Sequence, residues 1–305
     1  MSQDRRPDED MREFLARLGR EFQPRSLPPE EQDQPQPDYR DPASVPPVAP
    51  PQRMQLALPV SQPRAVYVLL AINVLMYGVS LVLSSRLGPQ AVIDGQAIDP
   101  FTAALYFLGA KENGAINAGQ WWRLLTPMVL HGSVFHLLFN SWALYALGAD
   151  VERVYGMARF VAIYLLAGLA GSIASYVFNS DSLSVGASGA IFGMLGALAA
   201  FSYTSRSLIG PEASRMQLGQ MATLAAINLA FGFAVPNIDN SAHIGGLIVG
   251  GLVGFALAPR YVVERRGYLP SVERRDSAAW GWGIAGVALL VLIGLFGLAW
   301  AVQLG

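Results

Sequence analysis

The chain has 305 residues, 52% hydrophobic and 14% charged, with a formal net charge of -1 and no cysteine. That balance carries no basic footprint for nucleic acid, and the missing cysteines exclude a disulfide framework, a thiolate metal site and a cysteine nucleophile. Lys111 is the only lysine, which excludes a retinal-type Schiff base within a membrane span.

In chain order, residues 1–63 form a polar tail rich in proline, glutamine and acid. Met1 to Asp10 is acidic and has no apolar centre, unlike a signal or transit peptide. Met11, Phe14, Leu15, Leu18 and Phe22 fall at helical spacing, with Arg12, Arg17 and Arg20 between them. This fits either a short amphipathic helix on anionic lipid or a transient helix in a soluble tail. The pairs Pro28-Pro29, Pro46-Pro47 and Pro50-Pro51 predict an extended, disordered linker over 24–63.

Beyond residue 64 the chain is mostly long apolar runs, and a run of about 20 such residues reads as a membrane span. Seven spans are predicted: 65–85, 134–151, 158–178, 188–205, 218–235, 241–258 and 279–302. The apolar decapeptide Phe101 to Ala110 is too short to cross, covering about 15 Å as a helix. It and the following Trp121-Trp122-Arg123 suit the outer interface.

Arginine placement sets the direction. Arg53 and Arg64 precede the first span, Arg153 and Arg159 flank the next inner turn, and Arg206 and Arg215 lie in the loop 206–217. Arg260, Arg265, Arg266, Arg274 and Arg275 lie in the loop 259–278, while loops 179–187 and 236–240 carry no Lys or Arg. This predicts a multi-pass protein of the cell (inner) membrane, N-terminus cytoplasmic and C-terminus external.

With that direction, spans two, four and six run inward together. Each carries polar groups near its outer end: His136 and Asn140, Ser188, and His243. Ionisable groups are costly in lipid, so an intramembrane histidine is a functional-site candidate by default. Gly189, Gly193 and Gly196 on span four and Gly246, Gly250 and Gly254 on span six would let the two backbones approach closely. A serine hydroxyl needs an adjacent base to act as a nucleophile, and histidine supplies one near neutral pH. No carboxylate is placed to orient His243: Asp239 falls in the outer loop or caps the helix, and Asn240 is the predicted N-cap. The pattern therefore predicts a Ser188–His243 dyad. The Ser188 amide, His136 and Asn140 are candidate oxyanion donors, although Asn140 in an interhelical hydrogen bond and His136 as an interfacial histidine fit as well. Zinc is disfavoured: there is no HExxH, and His131 and His136 are five apart, off a shared helix face. No cofactor is expected.

Trp122-Arg123, His131, His136-Leu137-Leu138-Phe139-Asn140, Gly186-Ala187-Ser188-Gly189 and Ala242-His243-Ile244-Gly245-Gly246 together resemble the rhomboid intramembrane serine proteases. The resemblance covers roughly residues 65–258. It implies an all-α membrane protein with a six-helix core plus one extra C-terminal transmembrane helix, behind a disordered N-terminal tail. The corresponding divisions are 1–63, 64–258 and 259–305. It also implies Ser188 as nucleophile and His243 as base, with His136, Asn140 and the Ser188 amide around the oxyanion. Trp122-Arg123 would belong to an embedded first loop, Glu152 would be a structural polar residue, and span five would lie on the substrate's path. Where the family often has a tyrosine four residues after the serine, this chain has Phe192. The implied partners are transmembrane protein substrates and the lipid bilayer, with no nucleic acid; oligomeric state stays open. The competing readings are an inactive relative, which typically lacks the serine or the histidine, and a transporter, which would show broken helices or mid-membrane charges.

Overall fold

The first apolar run folds as one helix, α1 (Arg64–Arg86), whose start is fixed from far along the chain. The buried Glu152 carboxylate accepts the backbone N–H groups of Arg64, Ala65 and Val66, each at 2.9 Å. These are donors that a helix cannot satisfy internally, so Glu152 acts as a remote cap. The computed structural model describes residues 61–88, 91–93, 96–179, 182–266, 269–275 and 278–304. The predicted amphipathic stretch 11–22 and nearly all of the proline-rich linker lie outside them.

The first loop is built rather than loose. Strands β1 (Ala91–Ile93) and β2 (Gln96–Ile98) pair antiparallel. Helix α2 (Pro100–Phe107) is capped by the Asp99 side chain and α3 (Asn113–Asn117) by that of Glu112. Two 3-10 turns follow, Trp121–Leu124 and Thr126–Val129. Buried Arg123 holds the loop together: it donates to the Ala110 carbonyl and the Gln120 side chain, both at 2.7 Å, and lies over the Tyr106 ring.

The second predicted span is α4 (Val134–Ala143), a π-helical turn Leu144–Gly148, and α5 (Ala149–Tyr155). Then come α6 (Met157–Phe178), α7 (Ser188–Thr204), the short α8 (Arg206–Ile209), α9 (Pro211–Ala234), α10 (Asn240–Leu257) and α11 (Ala278–Leu304). Helix thus occupies all seven predicted positions. Four of these helices, α1, α6, α10 and α11, are long and apolar enough to cross a membrane, and α7 is a shorter apolar helix.

Among the described residues the architecture is predominantly helical, with two departures from an all-α chain. One is the β1–β2 hairpin. The other lies in the arginine-rich loop, where β3 (Arg260–Arg266) and β4 (Leu269–Arg275) pair antiparallel with Arg260 opposite Arg275. The β-branched run Val262-Val263 favours a strand. Tyr261 anchors it, its ring edge-on to Phe201 and its hydroxyl 3.4 Å from the Val154 carbonyl.

At the centre, α7 and α10 pack backbone to backbone, with α6 across both. A Cβ on Gly246 would fall on the Gly189 carbonyl, one on Gly250 on the Gly193 backbone, and one on Gly254 would lie 2.7 Å from Ala197 Cα. The two glycine ridges read from the sequence therefore meet each other, and only glycine permits that approach at Gly246 and Gly250. Near the far end of the pair, the Tyr155 hydroxyl lies 2.8 Å from the Ala197 carbonyl and 3.1 Å from that of Gly254.

Candidate active site

Ser188 is the first residue of α7, and the segment leading to it is fastened to the first loop. Lys111 and Ser184 exchange two backbone hydrogen bonds of 3.0 Å, and the Gly186 N–H donates to the Pro127 carbonyl at 2.9 Å. Lys111 is buried, and its ammonium donates to the Asn179 carbonyl at 2.5 Å. Gly186 then turns the chain at φ 126°, in the region that favours glycine. A Cβ there would sit 2.7 Å from His136 Nε2 and 3.7 Å from Ser188 Oγ. Glycine thus leaves room for the His136 imidazole beside the serine.

His243 arrives from the first turn of α10. The helix is capped by Asp239, whose Oδ1 accepts the Ala242 N–H at 3.1 Å. Asn240, the predicted cap, is instead the first helical residue, and its Nδ2 donates to the Leu229 carbonyl of α9 at 3.0 Å. Both residue types cap well, and adjacent candidates differ by a single-residue shift in the helix start.

The two helix starts bring His243 Nε2 to 2.9 Å from Ser188 Oγ. The His243 ring is buried and stacks on Phe192 at 4.3 Å between centroids and 8° between planes. Phe192 is one turn beyond Ser188, so a single helix supplies both the hydroxyl and the plane against which its partner rests. For Ser188 to donate to Nε2, Nε2 must be unprotonated and Nδ1 must carry the proton. Nδ1 is buried and has no hydrogen-bond partner among the described residues.

The first intrahelical bond of α7 runs from the Ile191 N–H to the Ala187 carbonyl. The amides of Ser188, Gly189 and Ala190 precede it and have no helical acceptor of their own. His136 sits across from them on α4. Asn140 follows one turn later, its Nδ2 donating to the His136 carbonyl at 3.0 Å, within its own helix rather than between helices.

His131 corrects the helical-spacing argument. Ser133 caps α4 by accepting the His136 N–H at 3.1 Å, so His131 precedes the helix. Its ring lies edge-on to His136 with centroids 5.2 Å apart. Burial, with His136 acting in the same sense, holds the His131 imidazole down at about 3, so it is neutral beside its neighbour. Among the described residues no three His, Cys, Asp or Glu are grouped to hold a metal ion.

The sequence of the Rhomboid domain matches residues 118–260. The chain is 53% identical over 156 residues to the rhomboid protease GluP of Bacillus subtilis (strain 168), covering 51% of this chain and 30% of that protein. It is 40% identical over 144 residues to the putative rhomboid protease YdcA of the same organism, covering 47% of this chain and 70% of that protein. The chain belongs to the rhomboid family. RHOMBOID-like protein 2 of Arabidopsis thaliana is 36% identical over 211 residues, 68% of this chain and 66% of that protein. This rhomboid thus spans under a third of GluP and just under two thirds of the plant relative. The matched rhomboid segment contains His131, His136, Asn140, Ser188 and His243.

Two features of this rhomboid site went unread in the sequence. One is the room that Gly186 leaves for His136. The other is a hydrogen bond from the Ser175 hydroxyl on α6 to Asp239 Oδ2. The spacing of Asp239 four residues before His243 was its only local signal.

Proposed function

We propose that this rhomboid is an intramembrane serine protease that hydrolyses peptide bonds in or near the transmembrane helices of membrane-protein substrates. The observation that carries this reading is the 2.9 Å contact between His243 Nε2 and Ser188 Oγ at the mouths of two glycine-packed helices. Relatives named as rhomboid proteases support it.

In the proposed reaction, Ser188 Oγ attacks the scissile carbonyl carbon while His243 Nε2 takes the hydroxyl proton. The carbonyl oxygen becomes an oxyanion, met by the Ser188 amide, His136 and Asn140. For the last of these, the Asn140 amide must leave the His136 carbonyl. The protonated His243 then gives its proton to the leaving amine as the C–N bond breaks. Water, deprotonated by the same imidazole, hydrolyses the acyl-serine and restores both groups. Phe192 keeps the ring in plane throughout.

The organisation that accompanies this reading is a tail over 1–63, a six-helix core over 64–258, and a loop with a seventh span over 259–305. The charge pattern favours the inner membrane, a cytoplasmic N-terminus and an external C-terminus. A helix hides its carbonyls in hydrogen bonds, so the substrate helix must unwind near its outer end. Gly or Pro there would lower that cost by about 1 kcal/mol or more per residue.

The test compares purified wild-type and Ser188→Ala protein against transmembrane peptides, with and without Gly or Pro near the outer end. Wild-type cleavage, abolished in Ser188→Ala and in His243→Ala with the fold intact, is the expected result. Wild-type turnover in a folded Ser188→Ala enzyme would sink the proposal. Equal cleavage of the matched peptides, both inserted and below saturation, would remove unwinding as the selector.

A further inference from the structure

Among the described residues His243 Nδ1 has no hydrogen-bond partner, yet His243 sits one helical turn after an acid held in place by two separate elements. The His243 N–H donates to the Asp239 carbonyl at 3.2 Å, which puts Asp239 at the cap of α10 and His243 in its first turn. The Asp239 carboxylate is divided in its duties. Oδ1 accepts the Ala242 N–H of its own helix, and Oδ2 accepts the hydroxyl of Ser175 from α6. A helix cap needs only the first of these bonds. The second pins the start of α10 to a neighbouring helix, where Gly245 and Gly171 also meet the opposing backbones closely.

Resting on the proposed proteolysis, we infer that Asp239 is a positioning residue for His243. Its bond to Ser175 fixes where the imidazole stands against Ser188, and its negative charge favours the imidazolium formed when Ser188 loses its proton. The electrostatic part follows from what faces the ring. Phe192 stacks on it from α7, and the Asp239 carboxylate, held by Ala242 and Ser175, stands at the start of its own helix, four residues before it. In a partly buried site such a field is poorly screened. The charge is useful only while the ring is cationic, so it acts on turnover and not on substrate binding.

Three substitutions separate the contributions. Asp239→Asn keeps a good cap and a partner for Ser175 while removing the charge. Ser175→Ala removes the tether and keeps cap and charge. Asp239→Ala removes all three. Each is measured for kcat and KM on a cleaved transmembrane peptide, for the rate of labelling by a fluorophosphonate, and for Tm. Wild type and Ser188→Ala are run alongside, so failure of the protease reading itself shows as an inactive wild type. The expected result is a fall in kcat of about fivefold or more in Asp239→Asn, with KM and Tm near wild type. Labelling should slow in parallel, Asp239→Ala should lose more, and Ser175→Ala should fall between wild type and Asp239→Ala. An active wild type with full kcat in Asp239→Asn would make the residue a cap and overturn the inference. So would a change confined to KM, which would place Asp239 in substrate access, or a loss of kcat seen only where Tm also falls.

Discussion

Helices α7 and α9, separated in the chain only by the short α8, are opposites in packing. Eleven residues of α7 are buried, Gly189 to Ala197 among them without a break, whereas α9 buries only Ser214, Ala225 and Gly232. A backbone carbonyl sits where a side chain on Gly246 of α10 would go, and nothing lies within 4 Å of a side chain on Gly219 of α9. What fastens α9 is polar. The Ser214 hydroxyl donates to the Ser202 carbonyl, the Ser202 hydroxyl contacts Gln217 at 2.9 Å, and at the other end Asn240 donates to the Leu229 carbonyl. The proposed chemistry stands on the closely packed pair. The lightly held helix is the one that the family resemblance puts on the substrate's path.

The sharpest way to break this contrast is the same substitution on both sides of it. Gly246→Leu forces a side chain into the α7 backbone, and overpacking of this kind costs about 3 kcal/mol or more. It should abolish fluorophosphonate labelling and the cooperative thermal transition. Gly219→Leu should leave both unchanged; equal damage from the two would dissolve the distinction. Next in size is the double substitution of His136 and Asn140 to Ala, with an expected fall in kcat of roughly a hundredfold or more. An unchanged kcat would assign both residues to packing.

Smaller effects test how the closely packed side holds His243. Phe192→Ala removes the stacking plane and should lower kcat by about tenfold, since misplacing a reacting group by a fraction of an ångström is costly. Phe192→Tyr keeps the ring and should restore it; a Phe192→Ala enzyme at full rate would show that the α10 backbone alone fixes His243. Smallest is Asn240→Ala, which frees one end of α9 at a cost of about 1 kcal/mol. Hydrogen exchange should quicken around Leu229 and stay constant over Ser188 to Gly196. Exchange that quickened equally in α7 would mean that the two helices open together.

The parts of this molecule that the sequence made legible are those set by long-range pattern. Apolar runs fixed the positions of the helices, and glycines every third or fourth residue identified the faces that meet. A serine and a histidine beside those faces followed as a pair. What stayed hidden depends on a shift of one residue or on contacts across the chain. Asp239 and Asn240 are both capping residues, and only the observed helix start separates their duties. The π-helical turn Leu144–Gly148 lies within an unbroken apolar run that gives no local sign of it. The β3–β4 hairpin lies in the loop 259–278, whose arginines mark a connection between spans and give no local sign of a strand. Helical spacing from His131 to His136 has no meaning where the helix begins only after Ser133. Charge asymmetry speaks to orientation in the bilayer, a property of sequence and membrane together.

The solitary lysine turns the first loop into its own reporter. Lys111 is buried, and its amine is engaged at the segment that leads to Ser188. An acylating dye therefore meets no accessible side-chain amine while that seam is closed. Whenever the seam parts, one lysine becomes reactive and no other can compete with it. The rate at which this position takes up label would time the parting of the first loop from the Ser184 segment in an unmodified chain, without a probe having to be engineered into it.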